Sequence, residues 1–323
     1  MIANKHHPLA LDDPRFALTD GGTRPEFMLV GGMKCGSTSF ARYLSAHPQV
    51  GLRGPKEPHY WSWRRYPGKY QDFFVNESPV VDPRPADCVS GEFSTSSLIH
   101  PLVPRRVLAN LPALKIFVLL RNPVDRAYSH FMMSKMAGLE KERTFDDIVR
   151  KEMEEVPELL AAHEKGFLNP DGDPKTCYST SDGQPIRVAK HARGWPLREL
   201  RSELDLRDFY FQSYVFRSLY HDQLHRWLRL FPREQLMIIQ SERFFDHSLD
   251  TMNAVTDFLA LQPFEFHTAS QLQRRWDAGA KNALKMPQKY PALDGVTRKL
   301  LTEFFASHNE QLYKLIGEDY AWR

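Results

Sequence analysis

Residues 27–44, FMLVGGMKCGSTSFARYL, concentrate the groups that could do chemistry. An apolar run enters Gly31-Gly32, Lys34 follows, and Gly36-Ser37-Thr38-Ser39 leads into a helical stretch. Small residues let backbone N–H groups close around an anion, a helix N-terminus adds partial positive charge, and a lysine supplies a point charge. Lys34, Cys35, Gly36, Ser37, Thr38 and Ser39 are therefore a candidate phosphate cradle, with a plain Gly-rich strand-to-helix turn as the alternative. The pattern departs from G-x-x-x-x-G-K-[ST], because Ser37 stands where that lysine belongs and Lys34 lies inside the loop. That displacement argues against Mg²⁺-dependent ATP chemistry.

Two further segments carry candidate groups. In VLLRNPVDRAYSHF, Arg121 ends an apolar run, Asn122 can cap a helix with Pro123 at its first position, and Ser129 follows about two turns later. A guanidinium fork beyond the carboxyl end of a strand suits a terminal phosphate. The competing reading is an Arg121–Asp125 ion pair at the helix start, and Arg126 reads as a surface or structural residue. In GLRGPKEPHYW, Pro58 pushes Glu57 out of helical geometry into an extended one. Taken alone, Lys56-Glu57 is a solvated surface pair, and His59 competes for chemistry there because the unperturbed pKa of a histidine lies nearer neutrality than that of a carboxyl.

These residues resemble a known family. GGMKCGSTSFARYLSAHPQV followed by KEPHYW is similar to the 5′-phosphosulfate loop of sulfotransferases that use 3′-phosphoadenosine 5′-phosphosulfate (PAPS), with the heparan-sulfate-type and related bacterial enzymes nearest. VLLRNPVDRAYSHF resembles the family's 3′-phosphate segment, and KYPALDGVTRKLLTEFFASHNEQLYKLIG its C-terminal region, so the likeness runs from Phe27 to Gly317. The resemblance implies a P-loop-like fold and in-line transfer of a sulfuryl group from PAPS to a hydroxyl, with an amine second. The product would be 3′,5′-adenosine bisphosphate (PAP), and no metal is required.

It also implies roles. Lys34 contacts the 5′-phosphate and bridging oxygen, with the backbone and hydroxyls of residues 35–39 donating hydrogen bonds. Arg121 and Ser129 take the 3′-phosphate. Sulfuryl transfer needs a base for the acceptor hydroxyl, a role that falls to Glu57 with His59 competing. The family's Lys-Gly-Arg loop is absent, and among Lys281, Lys285 and Lys289 the last, before Tyr-Pro, matches best. The acceptor is a hydroxyl-bearing small molecule or glycan. A P-loop kinase using ATP and Mg²⁺, or an inactive module that binds PAP or a glycan, are the alternatives.

The elements that must position these groups follow from periodicity. Continuous apolar runs at Phe27–Val30, Val89–Glu92, Ile116–Leu120 and Met237–Ile239 suit strands covered on both faces, which predicts an α/β three-layer sandwich around a mainly parallel sheet. Helices are expected over 38–46, 123–137, 145–163, 214–231, 249–259 and 296–316, with a long loop between Gly166 and Gly194. Glu92, Ser94 and Thr95 fall at a strand end near the site, as acceptor contacts or caps. Residues 1–25 read as an extended arm and 26–323 as one domain with a long insertion around 138–210.

Composition sets the outer bounds. The 323 residues are 42% hydrophobic and carry a net charge of +3, which excludes a disordered chain and gives no argument for nucleic acid. The apolar runs fall far short of the roughly 18 residues of a membrane span, and the N-terminus lacks a signal-peptide core. Cys35, Cys88 and Cys177 fit neither a disulfide framework nor a zinc site, so reduced thiols and a cytoplasmic location are expected. The oligomeric state stays open.

Overall fold

The structure, a computed structural model, describes residues 24–52, 57–63, 88–140, 143–168, 186–188, 198–200, 213–266 and 290–323. Strand β1 (Phe27–Gly31) leads into α1 (Ser37–Ala46), β2 (Val50–Leu52), α2 (Tyr60–Trp63), β3 (Val89–Phe93) and α3 (Val103–Asn110). Then come β4 (Lys115–Leu120), α4 (Pro123–Met136), α5 (Phe145–Leu168) and a small antiparallel pair, β5 (Ile186–Val188) with β6 (Arg198–Leu200). The chain closes with α6 (Tyr220–Leu228), β7 (Leu236–Gln240), α7 (Ser241–Asp246), α8 (Ser248–Leu259) and α9 (Gly295–Ile316).

The main sheet has the order β2-β3-β1-β4-β7, and every pairing in it is parallel. Its apolar runs are continuous because both faces are covered. Met28, Val30, Ile116, Val118 and Leu120 pack with α3, α6 and the C-terminal segment. The alternate residues Phe27, Leu29, Phe117 and Leu119 pack with α1 and α8. The expected three-layer α/β sandwich is therefore present. Gly91 owes its place to this packing, since a Cβ there would lie 2.0 Å from the Phe27 ring.

Several elements depart from expectation. The stretch 214–231 divides into a 3₁₀ turn at Phe216–Ser218 and a separate α6. The cause is a tertiary cap: the buried carboxylate of Glu152 on α5 accepts from the N–H groups of Tyr214 at 2.9 Å and Val215 at 2.6 Å. Helix α5 continues to Leu168 through Pro157, and β5 lies inside the stretch expected as loop. Strand β2 was not expected, being three residues long and too short to show a period. Residues 1–23, most of 166–194, Arg64 to Tyr66, Lys56, Lys281, Lys285, Lys289 and Cys177 lie outside the described residues.

Candidate active site

The carboxyl ends of β1, β3, β4 and β7 share one edge of the sheet, and the candidate residues gather there. The Gly32 N–H donates to the Leu119 carbonyl at 2.6 Å, pinning the β1–α1 loop to the end of β4. The loop turns back through Lys34 at φ 69° and Gly36 at φ 94°, both left-handed. No side chain caps α1, and uncapped first-turn N–H groups of this kind are what helices present to anions. Thr38 is exposed and Ser39 half-buried, whereas Ser37 is buried. Cys35 turns its side chain into the core beside the Tyr220 hydroxyl, 3.9 Å away, and burial pushes its thiol up. Only its backbone is left to serve a ligand. The Cys35 carbonyl accepts from Ser241 Oγ at 2.7 Å, which joins the loop to α7.

Arg121 emerges from β4 beside this loop, its Nη1 donating to the Lys34 carbonyl at 3.4 Å. Asn122 caps α4 as expected, with Oδ1 accepting from the N–H groups of Val124 and Asp125. Asp125 does not pair with Arg121. It binds Arg298 of α9 at 2.8 Å, so the alternative reading of Arg121 as a helix-start ion pair loses its partner. Ser129 is buried beside Tyr290, whose phenol is pushed up by burial while Ser129 and the nearby Arg121 charge oppose that shift. Arg126 is fully buried, with Nε donating to Ser218 Oγ at 2.6 Å and Nη2 to the Tyr214 carbonyl, which settles its role as structural. A depression of about 340 Å³ lies beside Arg121, walled by Asp125, Ser241, Glu242, Phe245 and Asp246.

Glu57 sits at the end of β3, its N–H donating to the Phe93 carbonyl at 2.9 Å. Pro58 keeps it out of the right-handed helical region, but its φ is 63° rather than extended, and His59 follows at φ 54°. This double left-handed turn brings the two side chains together, with His59 Nε2 3.8 Å from Glu57 Oε2. Thr95 holds the Glu57 carboxylate through its N–H at 2.7 Å and its hydroxyl at 3.0 Å. Ser96 Oγ meets His59 Nδ1 at 2.5 Å. Beneath them the buried Glu92 accepts from Ser94 Oγ at 2.5 Å and from Trp61 Nε1 at 3.2 Å, and Ser94 Oγ in turn accepts from the His59 N–H at 3.2 Å. Residues 94–98 are anchored to β1 by the N–H groups of Ser94 and Leu98, which donate to the carbonyls of Leu29 and Val30. Glu57, His59 and the phosphate loop are thus all held to the end of β1. Among the described residues, no group of three or more His, Cys, Asp and Glu side chains is arranged to hold a metal ion.

Thr95, Tyr290, Glu242 and Phe245 were not identified as site residues by their sequence context, apart from Thr95 as an acceptor contact or cap. Nothing local marks them, since each meets its partner through tertiary packing.

A parallel α/β sheet with an anion cradle at its first crossover, an arginine beside it and a held carboxylate at the neighbouring strand end defines a P-loop-like group-transfer protein. Residues 24–286 match the family model of the sulfotransferase domain, and the chain belongs to that family, whose chemistry is sulfuryl transfer. It is 25% identical over 309 residues to the bifunctional heparan sulfate N-deacetylase/N-sulfotransferase 2 of Bos taurus, covering 91% of this chain and 29% of that protein. It is 22% identical over 331 residues to the membrane-associated sulfotransferase kil1 of Dictyostelium discoideum, covering 93% of this chain and 66% of that one. The chain thus spans less than a third of the length of the first relative. Its fold is shared with a sulfotransferase from Alicyclobacillus acidocaldarius, at a TM-score of 0.61 and 24% identity over 93% of this chain and 99% of that one. Among the described residues, no helix is long and apolar enough to cross a membrane.

Proposed function

We propose that this protein transfers the sulfuryl group of PAPS to an acceptor hydroxyl and releases PAP. The observation that carries this reading is the meeting of two separate cationic segments, Arg121 Nη1 on the Lys34 carbonyl, at the sheet edge where Glu57 is also held. The residues present fit the cofactor: two cations for its anionic groups, a helix N-terminus, and the exposed ring of Phe245 beside Arg121 as a surface on which a purine could stack. PAPS supplies an activated sulfuryl group on a phosphate leaving group. Lys34 and the N–H groups of α1 hold the 5′-phosphosulfate and stabilise the charge that grows on the bridging oxygen as the S–O bond breaks. Arg121 and Ser129 bind the 3′-phosphate, and Lys289 is the proposed third contact.

Glu57 accepts the proton of the acceptor hydroxyl as its oxygen attacks sulfur, and His59, whose Nε2 lies 3.8 Å from Glu57 Oε2, is the competing base. Thr95 aims the carboxylate. The proposed acceptor is a glycan or small-molecule hydroxyl, with an amine second; the heparan sulfate N-deacetylase/N-sulfotransferase among the relatives supports a glycan, and its name keeps the amine in the acceptor panel. A cytoplasmic location is the companion proposal, supported by Cys35 and Cys88 standing as free thiols. The test is incubation with PAPS and a panel of glycans, phenols, alcohols and amines, reading PAP release. Turnover with at least one acceptor is expected. Failure of the protein to bind PAP removes the reading, and phosphate transfer from ATP would replace it with the kinase.

A further inference from the structure

Arg121 and Asn122 are joined by one peptide group, and both of its polar atoms are held from outside β4. The Arg121 carbonyl accepts from the Tyr220 hydroxyl at 2.8 Å. The Asn122 N–H donates to Glu242 Oε1 at 2.8 Å. Both holders lead to the same residue. Trp322 Nε1 donates to the other oxygen of Glu242 at 3.3 Å, and the Trp322 ring packs against Tyr220 with centroids 5.9 Å apart. Trp322 is itself seated firmly: it is 7% exposed, its N–H donates to the Tyr313 hydroxyl at 3.0 Å, and its carbonyl accepts from Asn309 Nδ2 at 3.4 Å. Gln240, the last residue of β7, ties the same segment down by donating to the Tyr320 carbonyl at 3.1 Å.

We propose that Trp322 is a positioning residue for cofactor binding, fixing the direction in which Arg121 leaves β4 by clamping the Arg121–Asn122 peptide through Tyr220 and Glu242. The inference rests on the reading of Arg121 as the 3′-phosphate contact. Its physical basis is twofold. A side chain on a rotating peptide sweeps its guanidinium over a wide arc, and holding both the C=O and the N–H removes that freedom before the anion arrives. Glu242 also lines the depression beside Arg121, together with Asp125, which Arg298 neutralises, and Asp246, and a loose carboxylate there would repel a phosphate. With one oxygen on the Asn122 N–H and the other on the Trp322 indole, it is turned to structural use instead.

The experiment compares PAP with adenosine 5′-monophosphate, which lacks the 3′-phosphate, on the full chain. Trp322→Phe keeps an aromatic ring and removes the indole N–H. PAP affinity is expected to fall by about tenfold, the size of one lost hydrogen bond in this chain of contacts, while affinity for the monophosphate stays as in the wild type. The KM for PAPS should rise in step, with kcat at saturation unchanged. Tyr220→Phe, which cuts the other arm of the clamp, should narrow the preference for PAP in the same way, and it carries the test if Trp322→Phe does not fold. Equal loss of both ligands, or no loss of either, would overturn the role of Trp322 while leaving the cofactor reading intact. Absence of PAP binding by the wild type would instead remove the cofactor reading and this inference with it.

Discussion

Thr95 grips Glu57 by two different groups, the backbone N–H on Oε2 at 2.7 Å and the hydroxyl on Oε1 at 3.0 Å. A carboxylate held this way is aimed before substrate arrives, which is what a base needs. Glu57→Gln is expected to lower kcat by about 10²–10⁴-fold, the usual weight of a general base, with PAP affinity unchanged. Thr95→Val keeps the backbone bond and loses the hydroxyl, so a smaller loss of about tenfold is expected. Steady-state kinetics with PAP titrations read both. Full turnover in Glu57→Gln would transfer the role to His59.

Lys34 lies within the phosphate loop itself, and Arg121 Nη1 donates to its carbonyl. Lys34→Ala should therefore lower the single-turnover rate by about 10²–10³-fold, as removal of a preorganised donor from a developing anion does. Lys34→Arg should not restore it, because a planar fork does not replace a point charge inside a tight loop. Recovery with arginine would show that net charge alone matters there.

Arg121 and Arg126 stand five residues apart in one motif yet should behave oppositely. Arg121→Ala is expected to weaken PAP binding with little change in unfolding. Arg126→Ala should destabilise the fold by about 3 kcal/mol in urea, since a fully buried guanidinium bonded to Ser218 and Tyr214 is lost. Swapped outcomes would mean the two roles are assigned the wrong way round.

Gly36 adopts φ +94°, and a Cβ there would come within 2.8 Å of Phe245 Cζ. Gly36→Ala is expected to cost about 1–2 kcal/mol from the left-handed backbone alone, with weakened PAP binding beside it. Adding Phe245→Ala relieves the clash and leaves the backbone cost, so the double variant should recover only part of the stability. Complete recovery would locate the whole effect in the side-chain contact.

Burial raises the Glu152 carboxyl from its ordinary 4.5 to about 7, against the N–H groups of Tyr214, Val215 and Phe216 that favour the anion. The native state thus holds a proton that the unfolded chain has released, and this group's contribution to stability falls as pH rises from about 4.5 to about 7. Glu152→Gln removes that titration. Across this window the melting temperature of the wild type should decline relative to the variant, and parallel curves would show that Glu152 stays ionised throughout.

What the sequence by itself determined is local. The β1 loop, the Asn122 cap with Pro123 and the continuous apolar strands could be read because each needs only neighbours along the chain: a glycine where the backbone turns left-handed, a side-chain oxygen where a helix begins, apolar residues where both sheet faces are covered. Partnership across the sheet was decided elsewhere. Asp125 could pair with Arg121 by spacing, yet Arg298 from α9 takes it, 173 residues away. Glu57 finds Thr95, and the Arg121 peptide is clamped by Tyr220 and Glu242. Those choices depend on the strand order β2-β3-β1-β4-β7, which brings distant segments to one edge. A hydrogen bond is selected by which groups packing leaves within about 3 Å of each other, and no periodicity in the chain records that.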